Sequence, residues 1–526
     1  MGSNKHDVVV IGAGHNGLIV AAYLAKAGLD VCVVECQDQV GGSAVTREEF
    51  PGFRFDMGAK LHYGLVWNPL IHRDELGLIS KYGLKYLFPD PIFSFVFPDR
   101  SALTLYQDIS KTCESIAQFS KRDAEAYIDF CKTSLQLLGA PSIAALDPPP
   151  AMGRIVSFLD ATEVGRQYWR VLLSSAVDVA QEWFESEQMK AAVCRWAAEI
   201  MMSPREIGTG LYASSGLPYL QYVGIAMPEG GASAPCQALA AFIRDSGGSI
   251  RLSTQVKGIE VEASEAKGII LDDGERIMAD RAIVSNVNVK QLFLEMIKPE
   301  DLPTGFQKQV RLLKHSQFSF MHCLLALNEP PKYRAGGDLN RTVCVAITPL
   351  LEEFLRTLDD CIYGIPKARA PLFTVHTLAD PSRAPDGKHT LSLLHHMPYS
   401  LKEDGSAKWD EIKQDMADSI LESARLHATN LQRENIIGRK AISPLDFERY
   451  NPAMVHGDIL HIGVFPSQFL SNRPLAGWGR YRTPLKKLYM CGASTHPGGG
   501  IIGGGRSSVQ AVMEDLDIDF QKVIAA

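Results

Sequence analysis

No two cysteines of this chain stand at C-x-x-C spacing, the chain carries no surplus of positive charge, and its longest apolar run is broken by glycine and polar residues. The ten cysteines (32, 36, 113, 131, 194, 236, 323, 344, 361 and 491) are scattered. That spacing offers no zinc ligand set and no redox disulfide, so the expectation is no metal and free thiols buried as small hydrophobes. No secretory pattern precedes them, which points to a cytoplasmic protein. The opening MGSNKH has His6 where a myristoylation signal needs Ser or Thr. With 53 Lys and Arg against 60 Asp and Glu, a net charge of -7, the chain lacks the basic stripe of a nucleic-acid binder. The most apolar stretch, Val8 to Ala25, contains His15, Asn16 and three glycines, which argues against a membrane span. Peripheral attachment through an amphipathic patch stays open.

Glycine, in contrast, is clustered at both ends. Near the C-terminus, LYMCGASTHPGGGIIGGGRSSVQAV places seven glycines between Gly492 and Gly505. Glycine has the most backbone freedom to lose, so such a cluster marks positive φ or a close approach of backbone to a ligand. At the N-terminus, DVVVIGAGHNGLIVAAYLAKAGLDVCVVE joins a β-branched run (Val8 to Ile11), Gly12-x-Gly14-x-x-Gly17, a helical pattern to Ala27, a stop at Gly28, a second strand (Val31 to Val34) and the acid Glu35. The order of elements makes this the dinucleotide-binding βαβ unit. Gly12 permits the turn, Gly14 admits a pyrophosphate, and Gly17 lets helix and strand pack. The helix N-terminus faces the phosphates. Glu35 accepts from ribose hydroxyls and disfavours a 2′-phosphate, which leaves FAD or NAD.

The segment QVGGSAVTREEFPGFRFDMGAKLHYG follows, with Gly41-Gly42 and Gly52-x-x-x-Asp56-x-Gly58. This succession resembles the extended FAD signature of the glutathione-reductase-like flavoproteins, in the branch that holds amine oxidases and phytoene desaturases. Ser43 stands where amine oxidases have Arg after the double glycine, a departure that fits the desaturase side. The block from MPEGGASAPCQALAAF to RAIVSNVN resembles the mid-chain block of phytoene-desaturase-like proteins. Its Ile250, Leu252, Val256, Ile259 and Val261, with an Asp273-Gly274 turn, also read as a β-meander without any family. The C-terminal glycines resemble the last FAD motif of phytoene desaturases, and more closely that of an animal and bacterial branch named for a pyridine nucleotide-disulfide oxidoreductase domain.

The resemblance implies an α/β (α+β overall) chain: a discontinuous glutathione-reductase-like Rossmann FAD domain (1–79, 225–299, 480–526) with a mixed sheet-plus-helices substrate domain (80–224, 300–479). It implies non-covalent FAD held by Gly12, Gly14, Asn16, Gly17, Glu35, Gly41, Gly42, Ser43, Gly58, Ala59, Val256, Gly492, Gly499, Gly500, Ile501 and Ile502. A helix from about Ser507 would point its N-terminus at the flavin, with Arg506 adding positive charge there or facing solvent. His62, Tyr63 and His496 are the candidate catalytic residues by position. The implied activity is dehydrogenation (desaturation) of C–C bonds in a hydrophobic, isoprenoid- or carotenoid-like substrate by hydride transfer to flavin N5, with oxygen or a quinone as acceptor. An amine oxidase, a double-bond isomerase or saturase, and a non-catalytic flavoprotein are the alternatives.

Between these blocks, IFSFVF and ALTLY read as a hairpin, and Ser110 to Met202 as helical, with Trp196 in the core. GTGLYA, Gly208 to Ala213, mimics a second nucleotide fingerprint, but no apolar strand precedes it and it reads as a loop. His395 and His396 on a strand would point to opposite faces. His456, Asp458 and His461, read as a strand, likewise fail as a ligand set.

Overall fold

Val8 to Ile11, fully inside the protein, form the centre of a parallel sheet because β-branched residues fill a layer covered on both faces. The computed structural model describes residues 4–144 and 146–526, with the side chains of residues 138–145 outside the described part, so Met1 to Ser3 of the opening segment and position 145 of the helical stretch are not covered. Across the sheet, Leu488–Met490, Arg276–Ser285, Lys5–Ile11, Val31–Val34 and Ser249–Arg251 are parallel neighbours. Ile11 pairs with Val34 on one side and Ser285 on the other. Val256–Glu262 and Glu265–Leu271 add an antiparallel meander to the early part of Arg276–Ser285. The chain thus enters this layer three times, as a discontinuous Rossmann-type unit.

The helix His15–Lys26 is buried on every side from His15 to Ala25. It lies on the sheet between the helices Ala234–Asp245 and Gly505–Asp515. That position explains its membrane-like composition: a helix apolar all round is a core helix here. Among the described residues no helix is long and apolar enough to cross a membrane.

The second layer is a seven-stranded sheet in the order Ile436–Ile442, Ser319–Leu327, His389–Met397, Leu372–Thr374, Cys344–Ile347, Phe93–Val96, Ala102–Leu105. The last two are the hairpin read from IFSFVF and ALTLY. Strand alternation divides the faces. Met321, Cys323, Leu325, Leu391 and Leu393 pack with residues of the helix Trp409–Arg425. Phe320, Leu324, Leu394, Phe93 and Phe95 share a core with the helices Glu187–Ala197 and Thr209–Val223.

Three readings of the sequence need correction. GTGLYA is no loop: Gly208 caps the helix Thr209–Val223 with φ 97°, and the helix accommodates Pro218. Its glycines serve packing, since a Cβ on Gly210 would lie 2.6 Å from the Val171 carbonyl and one on Gly216 2.0 Å from Trp196. Tertiary contact overrides poor helix propensity. His456 and His461 are not on a strand; both have left-handed backbone (φ 59° and 66°) around Gly457. Arg506 does not face solvent. It is buried, and its Nε and Nη2 each donate to Glu75 at 2.8 Å.

Candidate functional site

A cleft of about 1050 Å³, open mouth included, lies at the carboxyl ends of the parallel strands and runs from Glu35 to Gly500 and His461. This is where open α/β sheets bind dinucleotides. Of the residues singled out by sequence, Gly12, Gly14, Asn16, Glu35, Gly42, Ser43, Val256 and Gly500 line it. Gly12 turns with φ 92°. The Gly14 and Gly42 backbones close on each other, and a Cβ on Gly42 would lie 3.0 Å from the Gly14 Cα. Among the described residues no side chain caps the helix that starts at His15, and no acid stands in its first turn. Its amides and positive dipole end remain available to an anion.

Glu35 is buried and held rigidly: Oε2 accepts from the Ala13 amide at 2.7 Å and Oε1 from the Gln37 amide at 2.9 Å. At the other end, His15 lines the cleft, and its Nε2 has no hydrogen-bond partner among the described residues. Burial lowers its pKa to about 4 against the opposing effect of the Gly500 carbonyl, so the imidazole is neutral. The His461 Nδ1 lies 3.1 Å from the Ser494 hydroxyl. A bare helix N-terminus, facing glycines, a fixed acid at the second strand and an unpartnered polar nitrogen make a donor set that fits a dinucleotide.

The remaining predicted cofactor residues are not among those that line the cleft. A Cβ on Gly17 would lie 2.2 Å from the Gly12 carbonyl, and one on Gly58 2.5 Å from the Ser43 carbonyl. The Gly41 amide donates to Ala13 O at 2.9 Å, and the Ala59 amide to Ser43 O at 2.8 Å. Gly492, with φ 94°, packs on Asn286, and Gly499 packs on Leu460. Ile501 is buried, and the Ile502 carbonyl accepts from the Asn68 amide nitrogen at 3.0 Å. The Gly505 amide donates to Asn16 Oδ1 at 2.9 Å, which joins the N-termini of two helices.

The candidate catalytic residues each have their own surroundings. His62 is fully buried with both ring nitrogens unpartnered among the described residues, and burial lowers its pKa to about 3. The His496 carbonyl accepts from the Tyr481 hydroxyl at 3.1 Å. Tyr63 faces Trp196 and Tyr219, with ring centroids 6.1 and 5.8 Å away, and burial pushes its pKa up to about 12. Around it Lys60, Trp196, Glu199 and Tyr212 are, like Tyr63 itself, only partly buried. Burial nonetheless lowers the Lys60 pKa to about 8 and raises that of Tyr212 to about 12.

Sequence reasoning missed several residues that shape the site. The side chain of Asn286 contacts Gly12, Gly14, Gly17 and Gly492 at once; its place at the end of a returning strand was the available signal. Arg473, wholly buried, donates to the carbonyls of Leu460, Ile462, Gly463, Gln468 and Ala493 and so ties together the segments that bring His461 and Ala493 to the cleft. Asp56, foreseen only as part of a glycine motif, pairs at 2.6 Å with buried Arg383.

The family described as flavin containing amine oxidoreductase matches residues 17–404. Pyridine nucleotide-disulfide oxidoreductase domain-containing protein 2 of Rattus norvegicus is 31% identical over 97% of this chain and 94% of its own length. A limonene dehydrogenase subunit of Castellaniella defragrans is 28% identical over 99% and 97%, respectively. The lycopene-forming phytoene desaturase of Pantoea ananas is 25% identical over 96% and 99%.

Proposed function

Because the chain belongs to the flavin-containing amine oxidoreductase family and is an FAD-dependent oxidoreductase, we propose that it desaturates C–C bonds of an apolar, isoprenoid-like substrate. Bound FAD supplies a two-electron acceptor for hydride, and oxygen or a quinone would take the electrons onward. Gly14, Gly42, Glu35 and the amides at His15 would hold the dinucleotide without a covalent link.

The chain's own contribution is to bind, orient and exclude water. The observation that carries the reading is the apolar cluster around Tyr63. Phe93, Phe95, Leu324 and Leu394 belong to a buried cluster, with Tyr63 and Trp196 packed against it. Cys344 of the same cluster is pushed up to about 12 by burial, and His322 is held well below its ordinary value by burial and by Lys60, so neither supplies a charged nucleophile or acid. Relatives named as limonene dehydrogenase and phytoene desaturase favour the same reading.

Amine oxidation is the second reading. The aromatic group of Tyr63, Trp196 and Tyr219 favours it, whereas the Lys60 ammonium opposes a cationic substrate.

Anaerobic titration of the yellow holoprotein with an isoprenoid and polyene panel and an amine panel tests the choice. Loss of flavin absorbance with the isoprenoids is expected. Bleaching by amines alone would replace this reading with amine oxidation. Bleaching by neither panel, with FAD bound, would shift it to isomerisation or a non-catalytic role.

A further inference from the structure

The face of the large sheet toward Lys60 is not uniformly apolar. Strand pairing lines up Leu324 with Ser392, Ser392 with Thr374, and Thr374 with Cys344 in one row. Lys60 reaches onto this row from the turn after Gly58 and Ala59, and its Nζ donates to the Ser392 hydroxyl at 2.6 Å. An ammonium has three donors, so two are left. Among the described residues no carboxylate comes within 4.0 Å of it. The two acids that act on it from farther away are already committed. Asp56 pairs with Arg383, and Glu199 pairs with Arg195 while His396 stands 3.9 Å off. A partly buried cation with no counter-charge of its own is costly unless a ligand supplies one.

We propose that Lys60 recognises a carboxylate at the end of an otherwise apolar substrate, with Ser392 holding the ammonium in place. This rests on the apolar-substrate reading and names the class: long-chain or isoprenoid acids, bound in preference to neutral hydrocarbons, alcohols or amines. The apolar body would lie along Phe93, Trp196 and Tyr63, and the acid end on the Ser392 row.

The charged groups that face Lys60 are Asp56 on its own segment, Cys344, His322 and His376 from the substrate layer, Glu199 from the helical side, and Arg383. Asp56 sits at about 2 and Cys344 at about 12, while His322 and His376 are held well below their ordinary value. These four keep their charge state between about pH 7 and 9, whereas Lys60 at about 8 does not.

The test is calorimetric titration of the holoprotein with dodecanoate, dodecanol and dodecylamine, equal in chain length. At pH 7 dodecanoate should bind about tenfold tighter than dodecanol, as one charge-assisted bond implies. Dodecylamine should bind weakest. The carboxylate advantage should fade above about pH 8 as the ammonium deprotonates. Lys60→Met should bring dodecanoate down to the affinity of dodecanol, and Lys60→Arg should retain the advantage. Dodecanol binding without a carboxylate advantage in the wild type, or an advantage that survives Lys60→Met, would overturn the role of Lys60 alone. Binding of none of the three would overturn the apolar-substrate reading and this inference with it.

Discussion

Replacing Asp56 with Asn removes one negative charge from a place where the protein has no substitute for it. Asp56 is 2% exposed, and its Oδ1 accepts from the Thr46 hydroxyl at 2.7 Å and the Ala232 amide at 2.9 Å. Arg383 Nη2 lies 2.6 Å from the same oxygen, and His376 Nε2 lies 3.4 Å from the other. Burial pushes the carboxyl pKa up; Arg383, His376, the Ala232 amide and the Thr46 hydroxyl together outweigh it and bring it from 3.8 to about 2. A depressed carboxylate contributes stability that is fully present above the unfolded value and lost as pH falls through the folded one, here between about pH 4 and 2. That shift is worth about 2 kcal/mol. The mutation costs more than this, because Asn leaves the Arg383 guanidinium buried and unpaired, a loss of about 3–5 kcal/mol. Urea unfolding of the holoprotein at pH 7 should show this loss for Asp56→Asn. The double variant Asp56→Asn/Arg383→Met should recover more than half of it, since an apolar pair removes the stranded charge. A single variant within about 1 kcal/mol of wild type, or a double variant no more stable than the single, would refute the reasoning.

Gly17→Ala should prevent FAD retention, because its Cβ would meet the Gly12 carbonyl at 2.2 Å, while Gly28→Ala, with φ 85° and open space, should cost about 1 kcal/mol and keep the flavin on gel filtration. Arg473→Met strands five carbonyls and should destabilise by about 3–5 kcal/mol; Arg473→Lys should not rescue thermal stability, since an ammonium cannot match the guanidinium fork. His15→Ala should weaken FAD binding roughly fivefold to tenfold, read from flavin fluorescence on dilution, because it removes the unpartnered Nε2 from the cleft.

The cofactor half of the molecule was legible because its signals are local. A strand, three glycines, a helix and an acid lie within Val8 to Glu35, and backbone sterics give each glycine one purpose. The returning strand at Arg276–Ser285 was legible for the same reason, through its meander. What sequence hid is pairing over distance. Asp56 stood in a visible motif, but its partner Arg383 lies far along the chain. Arg506 was read as cofactor charge or solvent-facing because Glu75 and the ring of Phe520, 5.0 Å from its guanidinium, adjoin it only in the fold. GTGLYA was read as a loop because no apolar strand precedes it; Pro466 against Gly208 and Val171 against Gly210 adjoin it only in the fold. Lys60 stood between Ala59 and Leu61 in a quoted segment; a charge in an apolar run was the one hint, and only the sheet opposite gives it meaning.

The central claim is that the reaction removes hydrogen from a C–C bond, and product identification after a single anaerobic turnover tests it most directly. With the bound flavin as sole oxidant and an apolar substrate that bleaches it, the product should be two hydrogens lighter, with its carbon skeleton and every heteroatom retained. Release of ammonia with an aldehyde, or a product isomeric with the substrate and no net bleaching, would contradict the account.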